Sequence, residues 1–293
     1  MFAALVAAIV LQTAAPQAIA PPPTPIQPIS ASKIILVGDS TTAVIGGWGP
    51  SFCADHVTSF AACVNLARGG RSSSSYRVEG SWDLALGEMS TPGYVRTYVL
   101  IQFGHNDQPG KPGRSTDLAT EFPDNLRRYV AEARQRGAVP ILLTPLTRRQ
   151  FVDGELQNDL IPWADAVIAV GRETNTPVVD LNRASAAAVQ ALGPTLSARF
   201  AQVPPSTEVA AALLTGTTIA AATGVPQPAA ASTPPVGAAT PQAQANAAVE
   251  PLGQARLAFD YTHLGRDGAD FFSALVTRDL IEAVPGMRRL LVP

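Results

Sequence analysis

Five short apolar runs, each of strand length and separated by patterns of helical period, constrain what this 293-residue chain can fold into. They are Lys33-Ile34-Ile35-Leu36-Val37, Cys63-Val64-Asn65-Leu66, Tyr98-Val99-Leu100-Ile101-Gln102-Phe103, Val139-Pro140-Ile141-Leu142-Leu143 and Pro177-Val178-Val179-Asp180-Leu181. Their apolar residues run on with little polar alternation, as in strands buried on both faces, and glycine stops the first and third at Gly38 and Gly104. Prolines near the start of the last two suit the first positions of a strand. Between the runs, Phe122 to Arg136 carries Leu126, Tyr129, Val130 and Ala133 at helical spacing and is closed by Gly137. Trp163 to Arg172 and Gly265 to Ala283 show the same period. The alternation predicts an α/β domain from about residue 31 to the end: three layers, α/β/α, around a parallel, flavodoxin-like sheet. In such sheets chemistry sits outside the carboxyl ends of the strands. Gly38-Asp39-Ser40 and Gly104-His105-Asn106-Asp107 fall there.

The flanking and inserted segments have a different character. Residues 1–20 hold an apolar stretch from Phe2 to Leu11, too short to span a bilayer, and then Ala18-Ile19-Ala20, a small-x-small pattern. This predicts a cleaved export signal. The stretch lacks a preceding Lys or Arg, so an uncleaved anchor stays open as the alternative. Residues 21–30 read as a stiff Pro-rich spacer. From about 193 to 256 Pro, Ala, Thr and Gln dominate, which predicts a mobile low-complexity insertion with a helix around Glu208 to Leu214. In an exported chain Cys53 and Cys63 are expected to pair as a disulfide, two free buried thiols being the alternative; they are too few for a zinc site.

Charge narrows the partners. With 21 Lys and Arg against 23 Asp and Glu, the chain has no electrostatic footprint for nucleic acid, and no polybasic run suits an anionic membrane. No stable membrane span is expected after removal of the signal, which places the protein in the periplasm or outside the cell. A nucleotide-binding pattern is missing at the Gly38 turn.

Three groups of residues suggest chemistry. Ser40 follows an apolar strand directly, so its hydroxyl can be exposed at a corner where backbone donors suit an oxyanion. Taken alone, Asp39-Ser40-Thr41 is also an ordinary helix cap. Asp260-Tyr261-Thr262-His263 offers a base and an orienting carboxylate three residues apart. Of the three histidines, His56 reads as a surface residue and His105 as structural. Asn106 can donate its amide from a strand end, and Gly70 its N–H from a tight loop; a helix cap and a plain turn are the other readings.

Together these residues resemble the SGNH (GDSL) hydrolases, whose blocks occur here in order as Gly38-Asp39-Ser40, Gly70, Gly104-His105-Asn106-Asp107 and Asp260-x-x-His263. Within that class the wording is similar to the rhamnogalacturonan acetylesterase branch, through Gly47-Trp48-Gly49, Gly70-Arg71-Ser72-Ser73, Glu79-Gly80 and Phe103-Gly104-His105-Asn106-Asp107. The resemblance spans about Lys33 to Ala283, with the insertion entering just before Asp260. It implies a serine esterase with Ser40 as nucleophile, His263 as base and Asp260 as its orienter. The oxyanion would be held by the N–H groups of Ser40 and Gly70 and the amide of Asn106. It implies no metal and no organic cofactor.

The branch implies removal of O-acetyl groups from a pectic polysaccharide. Xylan, peptidoglycan, lipid and thioester substrates remain alternatives, as does a non-catalytic carbohydrate-binding protein on the same scaffold. The loops expected around Ser40 hold Trp48, Arg71 and Tyr76 and few aliphatic residues, which suits a sugar ring better than a long acyl chain. Tyr261, between the catalytic pair, is expected at the substrate rim. Trp48 as core and Arg71 as a cap are the bland alternatives.

Overall fold

The computed structural model describes residues 30–221 and 257–293. The strands are β1 (Ser32–Gly38), β2 (Ala61–Asn65), β3 (Arg96–Gln102), β4 (Val139–Leu143), a short pair β5 (Phe151–Val152) and β6 (Glu155–Leu156), and β7 (Val178–Val179). Five of them form one sheet in the order β2-β1-β3-β4-β7, every pair parallel, while β5 and β6 make a separate antiparallel ribbon. The expected doubly wound α/β architecture is therefore present. The fifth run contributes only two strand residues, because Asp180 turns the chain into a helix and caps it by accepting from the Arg183 N–H.

The apolar runs lack polar alternation because each strand feeds two cores. Ile34, Leu36, Tyr98, Leu100, Ile141 and Leu143 pack on one face against α6 (Leu181–Ser197) and α8 (Arg266–Ala283). Ile35, Val37, Val99, Ile101 and Leu142 pack on the other against α3 (Ser81–Met89), α4 (Glu121–Gln135) and α5 (Ile161–Glu173). Burial of such side chains at roughly 1.5–3 kcal/mol each is what holds the layers together. Short helices α1 (Gly49–Ser51) and α2 (Ser75–Val78) belong to the loops after β1 and β2.

Cys53 and Cys63 are joined in a disulfide with Cα atoms 5.5 Å apart. It ties a single π-helical turn, Phe52–His56, to β2 across a sequence separation of 10, a loop whose closure is worth about 3 kcal/mol in the chain-entropy account.

The low-complexity region starts later than its composition suggests. Helix α6 bends at Gly193 and runs on to Ser197, a 3-10 turn covers Ala198–Phe200, and α7 spans Thr207–Leu214 with Ser206 as its cap. Val209 and Leu213, four residues apart on one face of α7, are buried with Ala198 and Tyr261. Residues 193–221 are thus part of the folded domain, which corrects the expected boundary. One buried apolar residue per helix turn suffices to anchor an otherwise bland segment. The rest of the expected insertion, and the expected export signal and spacer, lie outside the described residues.

Candidate active site

Gly38 stands in register with Gln102, so β1 and β3 end level and their following loops leave the sheet side by side. In the first loop Asp39 Oδ1 accepts from the Thr41 N–H at 2.9 Å and the Thr41 hydroxyl at 2.8 Å. The N–H groups of Thr42 and Ala43 donate to Asp39 O at 3.2 and 3.0 Å. This turn presents Ser40 at the strand's carboxyl end, where the parallel-sheet argument expects chemistry. The loop after β2 lies against it: a Cβ placed on Gly69 would stand 3.7 Å from Ser40 Cβ. Gly70 takes φ +76°, a left-handed conformation that glycine adopts without strain.

The loop after β3 is bonded to the Gly70 loop at three points, one of them Arg114 Nη1 donating to Gly70 O at 3.3 Å. Asn106 Nδ2 donates to Arg71 O at 3.1 Å. Asp107 accepts from the Ser73 N–H at 3.1 Å and the Ser73 hydroxyl at 2.6 Å, and from the Thr116 hydroxyl at 3.0 Å. Burial pushes the Asp107 carboxyl up to about 7, against the pull of those donors. Tyr129 and Asn125 complete the brace by donating to Ser73 O and Ser73 Oγ. Gly70 and Asn106 therefore come to one place as parts of one bonded unit.

Asp260 and His263 form the second half of the site. His263 Nδ1 is 2.7 Å from Asp260 Oδ2, while Asp260 Oδ1 accepts the backbone N–H groups of Thr262 and His263 at 2.7 and 2.6 Å. Burial alone would raise the Asp260 carboxyl, but the His263 bonds and charge and the nearby Arg149 hold it at about 2. An ionised carboxylate on Nδ1 leaves Nε2 as the imidazole's acceptor, the tautomer a general base needs. The loop is joined to the Ser40 loop at Gly46, whose carbonyl accepts from the Leu264 N–H at 2.8 Å.

A residue that the sequence reading missed holds this loop in place. Arg149, wholly buried after β4, donates through Nη2 to the carbonyls of Asp260 at 3.0 Å and His263 at 2.8 Å, and through Nη1 to Thr262 O at 3.2 Å. Its own N–H donates to Tyr261 O at 2.9 Å. Burial draws its pKa down to about 10, opposed by the Asp260 charge. The only signal in the sequence is an Arg148-Arg149 pair in the segment that follows the buried strand β4. Arg148 turns the other way and binds Asp159 at 2.8 Å and Gln108 Oε1 at 2.9 Å.

His105 is structural, buried with Nδ1 3.4 Å from Asp39 Oδ2, an electrostatic contact longer than a good hydrogen bond. Burial lowers its pKa, helped by the charges of Arg148 and Lys111 and opposed by Asp39; His105 and the two Thr41 donors lower the Asp39 carboxyl against the effect of burial.

Three expected substrate contacts are corrected. Trp48 is wholly buried and donates Nε1 to Gln102 Oε1 at 2.8 Å. Tyr76 is wholly buried and donates its hydroxyl to Leu66 O at 2.8 Å. Tyr261 is 2% exposed, with its hydroxyl on Ile219 O at 2.7 Å, and anchors α7. None offers a ring face, because each polar tip finds its partner inside the protein. Arg71 is partly exposed beside Gly70 and pairs with Glu79 at 2.8 Å.

A model of the GDSL-like lipase/acylhydrolase family matches residues 36–202, more than half of the chain. The chain belongs to that family. The matched segment of this GDSL-like acylhydrolase carries Ser40, Gly70 and Asn106; Asp260 and His263 lie beyond it, tied back to it by Arg149. Rhamnogalacturonan acetylesterase RhgT of Bacillus subtilis (strain 168) is 36% identical to it over 177 residues, covering 57% of this chain and 72% of that protein. A protein named "Probable rhamnogalacturonan acetylesterase YesY", from the same organism, is 34% identical over 164 residues, covering 54% and 73%. The crystal structure of YxiM from Bacillus subtilis shares the fold at TM-score 0.56 and 21% identity, covering 89% of this chain and 59% of that one. These likenesses place the GDSL-like protein among carboxylic ester hydrolases.

Proposed function

We propose that this chain is an exported serine acetylesterase that removes O-acetyl groups from a polysaccharide, pectic rhamnogalacturonan foremost. Ser40 Oγ attacks the ester carbonyl carbon as His263 Nε2 takes its proton. The N–H groups of Ser40 and Gly70 and one amide hydrogen of Asn106 hold the resulting oxyanion. The intermediate collapses to an acetyl-enzyme, and His263 returns the proton to the departing sugar oxygen. Water, deprotonated by His263, then releases acetate. A positioned base contributes typically 10²–10⁴-fold and each oxyanion donor about 10²–10³-fold, so these groups suffice for esterase chemistry.

The observation that carries this reading is the bonded chain from Asp260 Oδ2 to His263 Nδ1 at 2.7 Å, with the neighbouring Leu264 N–H on the carbonyl of Gly46 in the Ser40 loop. The names of the two Bacillus subtilis relatives support the acetyl group and the pectic backbone. Export rests on residues 1–20 and fits the disulfide.

The test is release of acetate from acetylated rhamnogalacturonan, acetylxylan and O-acetylated peptidoglycan by the purified protein and by Ser40→Ala. We expect turnover highest on rhamnogalacturonan, none with Ser40→Ala, and fluorophosphonate labelling mapped to Ser40. Full activity in Ser40→Ala would overturn the nucleophile. Preference for another polymer would overturn the substrate and leave the chemistry standing.

A further inference from the structure

Lys111 lies in the turn between β3 and α4, and its side chain is almost wholly buried, 4% exposed. Its Nζ donates to the carbonyl of His105 at 2.8 Å and to Oδ1 of Asn106 at 3.2 Å. That places a buried ammonium directly behind the side chain proposed as an oxyanion donor.

The consequence follows from the amide's two ends. An asparagine offers an acceptor oxygen at one end and two N–H donors at the other, and nearby groups decide which end faces the reacting centre. An oxyanion can be held only by the nitrogen end. An ammonium has donors and no acceptor, so it fixes Oδ1 on its own side. The Asn106 Nδ2 bond to Arg71 O agrees with that orientation and occupies one amide hydrogen. The second is the one a substrate oxyanion can take. The positive charge also polarises the amide along its O-to-N axis, which strengthens the remaining N–H as a donor in a site of low dielectric.

We infer that Lys111 is a positioning residue of the oxyanion hole, holding the Asn106 amide nitrogen-inward and charging it from behind. This rests on the reading of Asn106 given under the proposed function. Lys111 acts through Asn106 and touches no reacting atom. Its turn has a backbone scaffold of its own. The Lys111 N–H donates to Ser115 Oγ at 2.8 Å, the Lys111 carbonyl accepts from the N–H groups of Arg114 and Ser115, and Thr116 N–H returns to Asp107 O at 2.9 Å. Loss of the ammonium therefore leaves the turn's framework in place.

A double-mutant cycle decides it, with kcat and KM for p-nitrophenyl acetate measured on wild type, Lys111→Met, Asn106→Ala and the double variant. We expect Lys111→Met to lower kcat by about 10- to 100-fold, less than the loss of a whole donor, with KM within about twofold. In the Asn106→Ala background the same substitution should cost less than about threefold, because the group it positions is gone. An equal loss in both backgrounds would show that Lys111 acts independently of Asn106, and the inference fails while the triad stands. A native kcat in Asn106→Ala would remove the oxyanion reading of Asn106 and this inference with it. A native kcat in Lys111→Met alone overturns only the inference. If Lys111→Met does not fold, as judged by circular dichroism, Lys111→Gln enters the same cycle under the same criteria.

Discussion

Arg149 Nη2 donates to the carbonyl of His263 at 2.8 Å, across a separation of 114 residues. One guanidinium thus collects three carbonyls of the Asp260–His263 loop, those of Asp260, Thr262 and His263, a geometry suited to its planar fork and not to an ammonium. Substituting Arg149→Met should leave those carbonyls without donors, at about 1–3 kcal/mol for each that stays buried. A shift of the imidazole by about 1 Å is enough to cost on the order of 10²-fold in rate. We expect kcat/KM on p-nitrophenyl acetate to fall by roughly that factor, with a lower urea midpoint; Arg149→Lys should recover little. Native kcat/KM in a folded Arg149→Met protein would show that the loop holds itself.

Gly46 approaches the same imidazole from the other side. It takes φ +89°, and a Cβ there would lie 3.2 Å from His263 Cδ2 and 3.3 Å from Gln202 Nε2. Gly46→Ala therefore combines a left-handed alanine, at about 1–2 kcal/mol, with pressure on the base. Expected is a modest loss of stability together with a disproportionate fall in kcat. Equal stability and equal kcat would mean that the Ser40 loop relaxes freely, contrary to its anchoring through Leu264.

Asp107 and Asp260 should impress opposite pH dependences on stability. The folded pKa of Asp107 is raised to about 7, so the folded state binds the extra proton and the stabilisation is greatest at low pH. It declines as pH rises from about 4, the ordinary aspartate value, through 7. Asp260 is held at about 2, so its stabilisation is present above about 4 and is lost as pH falls through 2. Denaturant unfolding of wild type and Asp107→Asn between pH 4 and 8 isolates the first effect, because the amide does not titrate there. The stability difference should move against wild type as pH rises across that range and level off above it. A flat difference would mean that the Ser73 and Thr116 donors keep Asp107 ionised throughout.

What was legible in the sequence follows from where the information is local. The strands announce themselves because Ile34 to Val37 and Val99 to Ile101 are buried on both sides, so their apolar runs carry no competing period. The places of Ser40 and Asn106 followed from those strands, since a parallel sheet fixes which end bears chemistry. Arg149 was not legible, because its partners are backbone carbonyls more than 100 residues away that only the tertiary fold brings near; Lys111 lies five residues from Asn106, but nothing in the loop's sequence shows that its side chain folds back and is buried. Trp48, Tyr76 and Tyr261 misled for a related reason. An aromatic with a polar tip reads the same whether that tip meets a sugar or an internal acceptor, and here the acceptors are Gln102, Leu66 and Ile219. The composition of residues 193–221 hid that the segment packs into the domain, although the helix expected around Glu208 to Leu214 is there as α7, fastened by Val209 and Leu213.

The acyl group is decided by the sides of the site. In the proposed reaction the carbonyl oxygen faces Gly70 and Asn106, so the departing alcohol must face His263, which returns its proton. A pocket of about 400 Å³ is lined in part by Val44, Ile45, Gly46, Gln202 and Leu264; His263 is outside its lining, and a Cβ on Gly46 would stand 3.2 Å from His263 Cδ2. We expect it to take the alcohol, a sugar ring resting its apolar face on Val44 and Ile45, both largely exposed, with Gln202 as a hydrogen-bonding partner. The acyl group is expected to face the Gly69–Gly70 turn, which lies against Ser40, and the partly exposed Arg71. A chain-length series of p-nitrophenyl esters should show acetate preferred, with kcat/KM falling steeply beyond butyrate. Each methylene that an acyl pocket did accommodate would instead add about 0.8 kcal/mol of binding, or roughly fourfold. A maximum at octanoate would assign the Val44–Ile45 pocket to the acyl chain and make this a lipolytic enzyme. An acetate maximum retained in Ile45→Ser, with weaker binding of oligosaccharide substrate alone, would fix the pocket as the sugar's.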